Sequence, residues 1–171
     1  MASQRVVLDA GWKFKNAFEP ESSFLPVAQF PTNIHLDLLK HGTIPDPFLD
    51  TSEAAVQWVG EEAWEYQTEF SAPKGVKAEL VFEGLDTHAT IYLNGQEVLQ
   101  TDNMFIHHRV DATGRLKENN TLKIRFESTW LVGKQLEKDA MNTPLFCHNG
   151  DSSRLQARKA QYPTFKGDTN K

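Results

Sequence analysis

The chain has 171 residues, of which 39% are hydrophobic and 11% aromatic, enough for one domain with its own core and too apolar for a disordered chain. It has 23 Asp and Glu against 18 Lys and Arg, which gives a formal charge of −5 and a pI near 5.7. This balance excludes nucleic-acid binding, because neutralising phosphates needs a concentrated basic surface.

The first third of the chain is predicted to wrap around a sheet rather than to build its centre. Residues 6–8 form a strand-like apolar run. No apolar run near the amino terminus is long enough for a signal peptide, so we expect a cytoplasmic protein. Leu and Lys residues followed by Gly42 predict a short helix over Ile34–Lys40. Prolines argue against central strands in this region, at Pro26, Pro31, Pro45 and Pro47.

Strand patterns dominate the rest of the chain. Period-2 alternation and turn residues predict strands over residues 66–70, 77–82, 89–93, 96–99, 105–110 and 122–126. Asn94-Gly95 between two of these strands predicts a type I′ hairpin, because both residues tolerate positive φ. A second short helix is predicted over residues 132–141. Many strands with little helix predict an all-β fold, an antiparallel β-sandwich with one or two short helices.

No disulfide, cofactor or membrane-spanning segment is predicted. Cys147 is the only cysteine, and no stretch approaches the roughly 20 apolar residues that cross a bilayer. Cys147 is also a poor candidate nucleophile, because the ring of the adjacent His148 seldom reaches the sulfur and no glycine-rich elbow follows. We expect one domain over residues 1–162 and a polar tail over residues 163–171.

Residues that match one known family recur in order along almost the whole chain. They lie in segments 30–39, 44–48, 56–60, 82–87, 93–95, 102–105, 108–110, 149–155 and 158–162. These segments resemble the amino-terminal sugar-binding domain of family 2 glycoside hydrolases, most closely that of fungal intracellular-type β-mannosidases. The resemblance implies a jelly-roll, galactose-binding-domain-like sandwich, in agreement with the strand pattern.

The chain departs from this family in two places. After Tyr162 the family continues into a Gly-Trp-Asp-Trp-Gly-Pro run that contacts the sugar, whereas Pro163-Thr164-Phe165-Lys166 stands here. The family's two catalytic glutamates lie in a later (β/α)₈ barrel that has no counterpart here, and retaining hydrolysis needs two carboxyl groups roughly 5–5.5 Å apart. We therefore expect no mannoside hydrolysis. We also expect the face that packs on the barrel in the family to be available for a homodimer.

Two tryptophans are candidate ligand-stacking residues. Trp58 and Trp64 flank the acidic turn Gly60-Glu61-Glu62. An exposed indole suits the apolar face of a pyranose or another flat ligand. The alternative is that both rings fill the core or its edge.

The stretch from Asp102 to His107 is the richest in chemistry. His107 and Asp102 are candidate catalytic acid–base residues, and Asn103 and Phe105 are candidate ligand contacts. The alternative is a purely structural histidine. If the strand alternation holds, His107 shares a face with Arg109, and the ring of His108 points the other way. That arrangement leaves no spaced set of ligands, so no metal site is predicted.

Asp151, Arg154, Arg158 and Lys159 form a further group of candidate ligand-binding residues. The family resemblance places them beside the sugar-facing surface, where fork-like donors bind hydroxyl or carboxylate groups. The alternative is a set of interdomain salt bridges to the barrel.

The residues support two functions. One is a small-molecule pocket repurposed for cofactor-independent cyclisation or isomerisation of a metabolite, because positioning plus one proton transfer suffices for such chemistry. The alternative is a lectin-like carbohydrate-binding module without catalysis. In both, the expected partner is a small molecule or a sugar, with no nucleic acid and no membrane.

Overall fold

A computed structural model describes residues 4–73 and 77–140 of the chain. Within these ranges the strands are β1 Lys13–Asn16, β2 Leu25–Pro26, β3 Trp64–Ser71, β4 Glu79–Phe82, β5 Ala89–Leu93, β6 Gln96–Thr101, β7 His108–Asp111 and β8 Asn119–Phe126. The α-helices are α1 Ile34–Lys40, α2 Ser52–Ala55 and α3 Thr129–Asp139. Short 3₁₀ helices cover Glu21–Ser23 and Gln57–Glu61.

The strands form two antiparallel sheets that enclose the core. Six strands pair in the order β2-β1-β3-β8-β5-β6, and β4 pairs with β7. Along β3, Trp64, Tyr66 and Thr68 are buried on the core side, and every second residue between them points outward. The smaller sheet adds Phe82, Leu80 and Val110 to the same core. This arrangement confirms the predicted antiparallel β-sandwich.

The first helix and the hairpin are confirmed. Asn33 caps α1, since its side-chain oxygen accepts a hydrogen bond from Leu36 N at 3.1 Å. Asn94 and Gly95 have φ values of 54° and 80°, the positive values that a type I′ turn requires. The other predicted strands overlap β3, β4, β5, β6 and β8, with shifts of a few residues at their ends.

Several boundaries were predicted wrongly. Residues 6–8 lie outside every strand, because apolar β-branched residues form a strand only where a partner strand is available. The strand predicted over residues 105–110 begins only at His108, since Asn103 Oδ1 accepts a hydrogen bond from Phe105 N and holds a local turn. The second helix begins at Thr129, because Ser128 caps it by accepting from Leu131 N. Neither β1, α2 nor the 3₁₀ helices had been predicted.

A buried carboxylate fastens the wrapping segment to the large sheet. Asp37 is 0% exposed, and its Oδ1 accepts hydrogen bonds from Ala28 N at 2.6 Å and from Thr32 Oγ1 at 2.8 Å. Its Oδ2 accepts from the Tyr66 hydroxyl at 2.8 Å. Burial, followed by the Asp37 charge and this hydrogen bond, raises the pKa of Tyr66. Tyr66 therefore remains a donor to Asp37 through the ordinary pH range.

Candidate functional site

One end of the large sheet collects most of the predicted site residues that the structure describes. Its strands end there side by side, in the register Asn16, Trp64, Phe126, Ala89 and Thr101. The segments that leave the sheet at this end, called the Trp64 end below, are residues 17–24, 57–63, 83–88, 102–107 and 127–128. The name Asn94 end is used below for the hairpin turn with residues 72–73, 77–78 and 112–118, at the opposite end; residues 4–12 and 27–33, which flank the far ends of β1 and β2, are not counted in it.

Hydrogen bonds join the loops of the Trp64 end into one surface. Backbone amides donate two of these bonds, each 2.9 Å long, from Ala17 N to Ala63 O and from Glu127 N to His88 O. Hydroxyl groups donate the other two, from Ser128 Oγ to Gly60 O at 2.7 Å and from Thr101 Oγ1 to Thr87 O at 2.9 Å. Each bond connects segments that are distant in sequence. The loops therefore hold fixed positions relative to one another, as a binding surface requires.

The two predicted tryptophans have different environments. Trp64 is 7% exposed and its Nε1 donates to Val59 O at 3.0 Å, so its ring belongs to the core. Trp58, on the 3₁₀ helix, is 39% exposed, and its ring centroid lies 6.1 Å from that of Trp64. Trp58 thus presents the larger area to a ligand, and Trp64 supports it from the core side.

The Asp102, Asn103, Phe105 and His107 group lies on the loop between β6 and β7. Asp102, Phe105 and His107 are exposed, and Asn103 is half-buried. The Asn103 amide oxygen is already engaged, because it accepts the hydrogen bond from Phe105 N. His107 precedes β7, so it does not share a strand face with Arg109, which pairs with Glu79 at 2.6 Å. The structure presents these groups on an open loop.

The tryptophans and this loop share one end of the sheet but are well separated. Trp64 in β3 and Thr101 in β6 are three strand intervals apart, which is about 14 Å at roughly 4.8 Å per interval. Two intervening strands thus separate the strand that follows Trp58 from the strand that precedes the His107 loop. The geometry favours an extended contact along the rim.

The last predicted group, Asp151, Arg154, Arg158 and Lys159, lies outside the described residues. Within residues 4–73 and 77–140, no three His, Cys, Asp or Glu side chains are arranged to hold a metal ion. The longest helix in that part of the chain, Thr129–Asp139, is neither long nor apolar enough to cross a bilayer.

Exposed apolar side chains at the Trp64 end were missed by the sequence analysis. Phe18 is 76% exposed and Ile106 is 48% exposed, beside Phe105 at 62%. Ile106 follows Met104 and Phe105, so a run of three large apolar residues was the available signal in that loop. Together with Trp58 they make this end apolar at several separate points.

The outer face of the large sheet is occupied by internal ion pairs. Lys15 Nζ lies 3.0 Å from Glu65 Oε2, and both side chains are buried. Lys123 and Arg125 add further cations at 3.6 Å and 3.9 Å from Glu65 Oε1. Arg125 also donates to Glu127 at 2.6 Å, and this hydrogen bond raises its pKa. The charged side chains of this face are thus paired with one another rather than directed at a ligand.

An open depression of about 310 Å³ lies at the Asn94 end, between the ends of β3 and β8. Its lining consists of Glu69, Phe70, Ser71, Asn119, Asn120 and Thr121. The buried Asn120 side chain is engaged there, because it donates to Lys117 O and accepts from Lys117 N, both at 2.8 Å. None of the predicted site residues lines this depression.

Several known proteins are similar to this chain in sequence. A family model described as glycosyl hydrolase 2 galactose-binding domain-like matches residues 12–165. β-Mannosidase B of Thermothelomyces thermophilus is 53% identical over 167 residues, which cover 95% of this chain and 20% of that protein. β-Mannosidase B of Emericella nidulans is 40% identical over 162 residues, with coverage of 91% and 19%. The chain therefore spans about a fifth of the length of the curated relatives it matches.

Solved structures share the fold. A β-D-mannosidase from Dictyoglomus thermophilum superposes with a TM-score of 0.76 at 41% identity, over 91% of this chain and 19% of that one. The exo-chitosanase CsxA of Amycolatopsis orientalis has a TM-score of 0.61 at 21% identity, over 68% and 16%, and shows the fold alone. These matches confirm the predicted resemblance and the galactose-binding-like sandwich.

Proposed function

The chain belongs to the glycosyl hydrolase 2 galactose-binding domain-like family, and we propose that it serves as a non-catalytic accessory domain of a β-mannosidase-type enzyme. In this role the sandwich packs through its loops against a catalytic part and does not itself cleave or rearrange a substrate. The observation that carries the proposal is the match itself, which covers 95% of this chain at 53% identity but only 20% of β-mannosidase B.

The Trp64 end supports docking better than cyclisation or isomerisation. His107 and Asp102 are exposed on one loop, whereas acid–base catalysis needs a substrate within hydrogen-bond reach in a site that excludes water. A metabolite pocket also encloses most of its ligand. The strand ends next to the aromatic and the acid–base candidates are instead about 14 Å apart, and the loop with His107 and Asp102 is open.

A chimera tests the accessory role. The matched fifth of the Thermothelomyces β-mannosidase B is replaced by this chain, and hydrolysis of 4-nitrophenyl β-mannoside is measured beside the native enzyme. The control chimera carries the equivalent domain of the uncultured Clostridium β-glucuronidase, a fold match at 22% identity.

We expect turnover from the first chimera and none from the control, because interdomain contacts depend on surface residues and not on the fold alone. A first chimera that is folded but as inactive as the control would contradict the proposal.

Carbohydrate binding is a second candidate, favoured by the exposed indole of Trp58 at the rim. Calorimetric titration with mannose-containing oligosaccharides tests it. Binding heat that Trp58→Ala abolishes, with unchanged thermal unfolding, is the expected result for a lectin. Absence of heat at millimolar saccharide would exclude this candidate.

A further inference from the structure

Several large apolar side chains are exposed at the Trp64 end, and others, such as Phe48, Leu49, Val6 and Val7, are exposed on other segments. The loops of the Trp64 end carry Phe18, Trp58, Phe105 and Ile106, each at least 39% exposed, and Leu131 on the first turn of α3 adds a further exposed side chain. The described loops of the Asn94 end contribute no large apolar side chain to the exposed set. Apolar side chains that gather at one end of a domain mark a contact surface rather than a solvated loop region.

The same end is strongly acidic. Its loop segments contain no Lys or Arg, and the adjoining helix α3 has as many lysines as carboxylates. The carboxylates of the loops are Glu19, Glu21, Glu61, Glu62, Glu83, Asp86, Asp102 and Glu127. Two of these carboxylates pair with arginines from outside the loops, Glu83 with Arg5 and Glu127 with Arg125. The described loops of the Asn94 end have the opposite balance, with Lys77, Arg115 and Lys117 against Glu118. The sandwich is therefore polarised from end to end.

We propose that the Trp64 end is a docking surface for a protein partner whose contact face has an apolar centre and a Lys- and Arg-rich rim. The inference rests on the proposed accessory function and adds the location and chemistry of the contact. Apolar side chains supply the driving force for such a contact, and the surrounding carboxylates select a partner of opposite charge and speed its approach.

The dimensions of the surface fit a protein better than a single sugar. From β1 to β6 the end spans four strand intervals, or about 19 Å. A standard protein interface covers about 800 Å² on each partner, a patch of comparable width.

The charge also decides against a second copy of this chain as the occupant. A twofold dimer through the Trp64 end would place these carboxylates against their own copies, and like charges across an interface are unfavourable. A head-to-tail contact with the Asn94 end would satisfy the charges but would bring no exposed large apolar side chain from that side. A basic, apolar-centred partner satisfies both requirements.

The surface chemistry is tested on the full chain with a synthetic amphipathic helix of Leu and Lys as the probe. Backbone amide NMR shifts locate the contact, and the Trp fluorescence change gives Kd. We expect the largest shifts in residues 17–24, 57–63 and 102–107. A peptide with Ser in place of Leu should bind much more weakly, and one with Glu in place of Lys should not bind. Affinity should fall as salt shortens the Debye length from about 10 Å to about 3 Å.

A matched pair of variants distinguishes binding at this surface from non-specific hydrophobic binding. Phe105→Ser should raise Kd about tenfold, the loss expected for one buried aromatic ring. Val81→Ser, at an exposed apolar residue on β4, should leave Kd unchanged.

Shifts centred on the Asn94 end, equal effects of the two variants, or sedimentation showing self-association through the Trp64 end would each overturn the docking inference. If the chimera is active but any of these results is found, the accessory function holds and the docking surface proposed for it is wrong. An inactive chimera removes the accessory function itself.

Discussion

Replacing Tyr66 by Phe tests how the wrapping segment is held on the sheet. The substitution removes the hydroxyl that donates to Asp37 Oδ2 at 2.8 Å, while the ring keeps its place in the core. The fully buried Asp37 then keeps only the donors from Ala28 and Thr32 among those described above. A hydrogen bond to a charged group contributes about 1.5–3 kcal/mol, so we expect the free energy of unfolding to fall by about 2 kcal/mol.

Urea unfolding followed by tryptophan fluorescence measures this loss as a lower midpoint at an unchanged m value. In thermal unfolding the same loss corresponds to roughly 4–8 °C for a chain of this size. Tyr92→Phe is the matched control, because it removes the same group from a half-buried position on the outer sheet face, and its cost should stay within about 0.5 kcal/mol. Equal losses from the two variants would refute the anchoring role of the Asp37 network.

Three further outcomes follow from local geometry. Burial raises the pKa of Tyr66 in the folded state. The contribution of the Tyr66 hydroxyl group to the free energy of unfolding is therefore complete below pH about 10. Above that pH the free energy of unfolding falls by up to about 1.4 kcal/mol per pH unit. Urea titrations at several alkaline pH values should show a shallower fall for Tyr66→Phe. Gly95→Ala should cost about 1–2 kcal/mol in thermal unfolding, since φ is 80° and the site is otherwise open, whereas Gly60→Ala, equally open without positive φ, should be close to neutral. Ser128→Ala should cost about 1–2 kcal/mol by circular dichroism melting, because the hydroxyl both caps α3 and donates to Gly60 O, and Ser128→Thr should restore most of the loss.

The fold was predictable where a local pattern and the tertiary structure agree. The alternation through Leu122 and Ile124 in β8 and the Asn94-Gly95 turn are set by side-chain period and by positive φ, which are properties of the residues themselves. Strand β1 was not predicted, because a lysine in a strand pattern normally indicates a solvent-facing position. Lys15 is nevertheless buried, since it pairs with Glu65 and donates a hydrogen bond to Glu19 O.

The candidate site was less predictable, because it depends on strand order. Trp58 and the loop that carries His107 lie at the same end only because β3 and β6 belong to one sheet with ends in register. The distance of about 14 Å between the ends of β3 and β6 comes from the two strands between them, which no local pattern encodes. The Asp37 carboxylate was missed for a similar reason, since one of its donors, the Tyr66 hydroxyl, comes from a strand 29 residues further along the chain.

The activity of the chimeric β-mannosidase with altered Trp64-end residues tests the central claim most directly. The chimera carrying this chain is compared with its Phe105→Ser, Trp58→Ser double variant and with its Val81→Ser variant, using hydrolysis of 4-nitrophenyl β-mannoside. An accessory domain that docks through the Trp64 end predicts equal turnover for the parent chimera and Val81→Ser, and a loss of about tenfold or more for the double variant. Undiminished turnover of the double variant in an active chimera would contradict the claim.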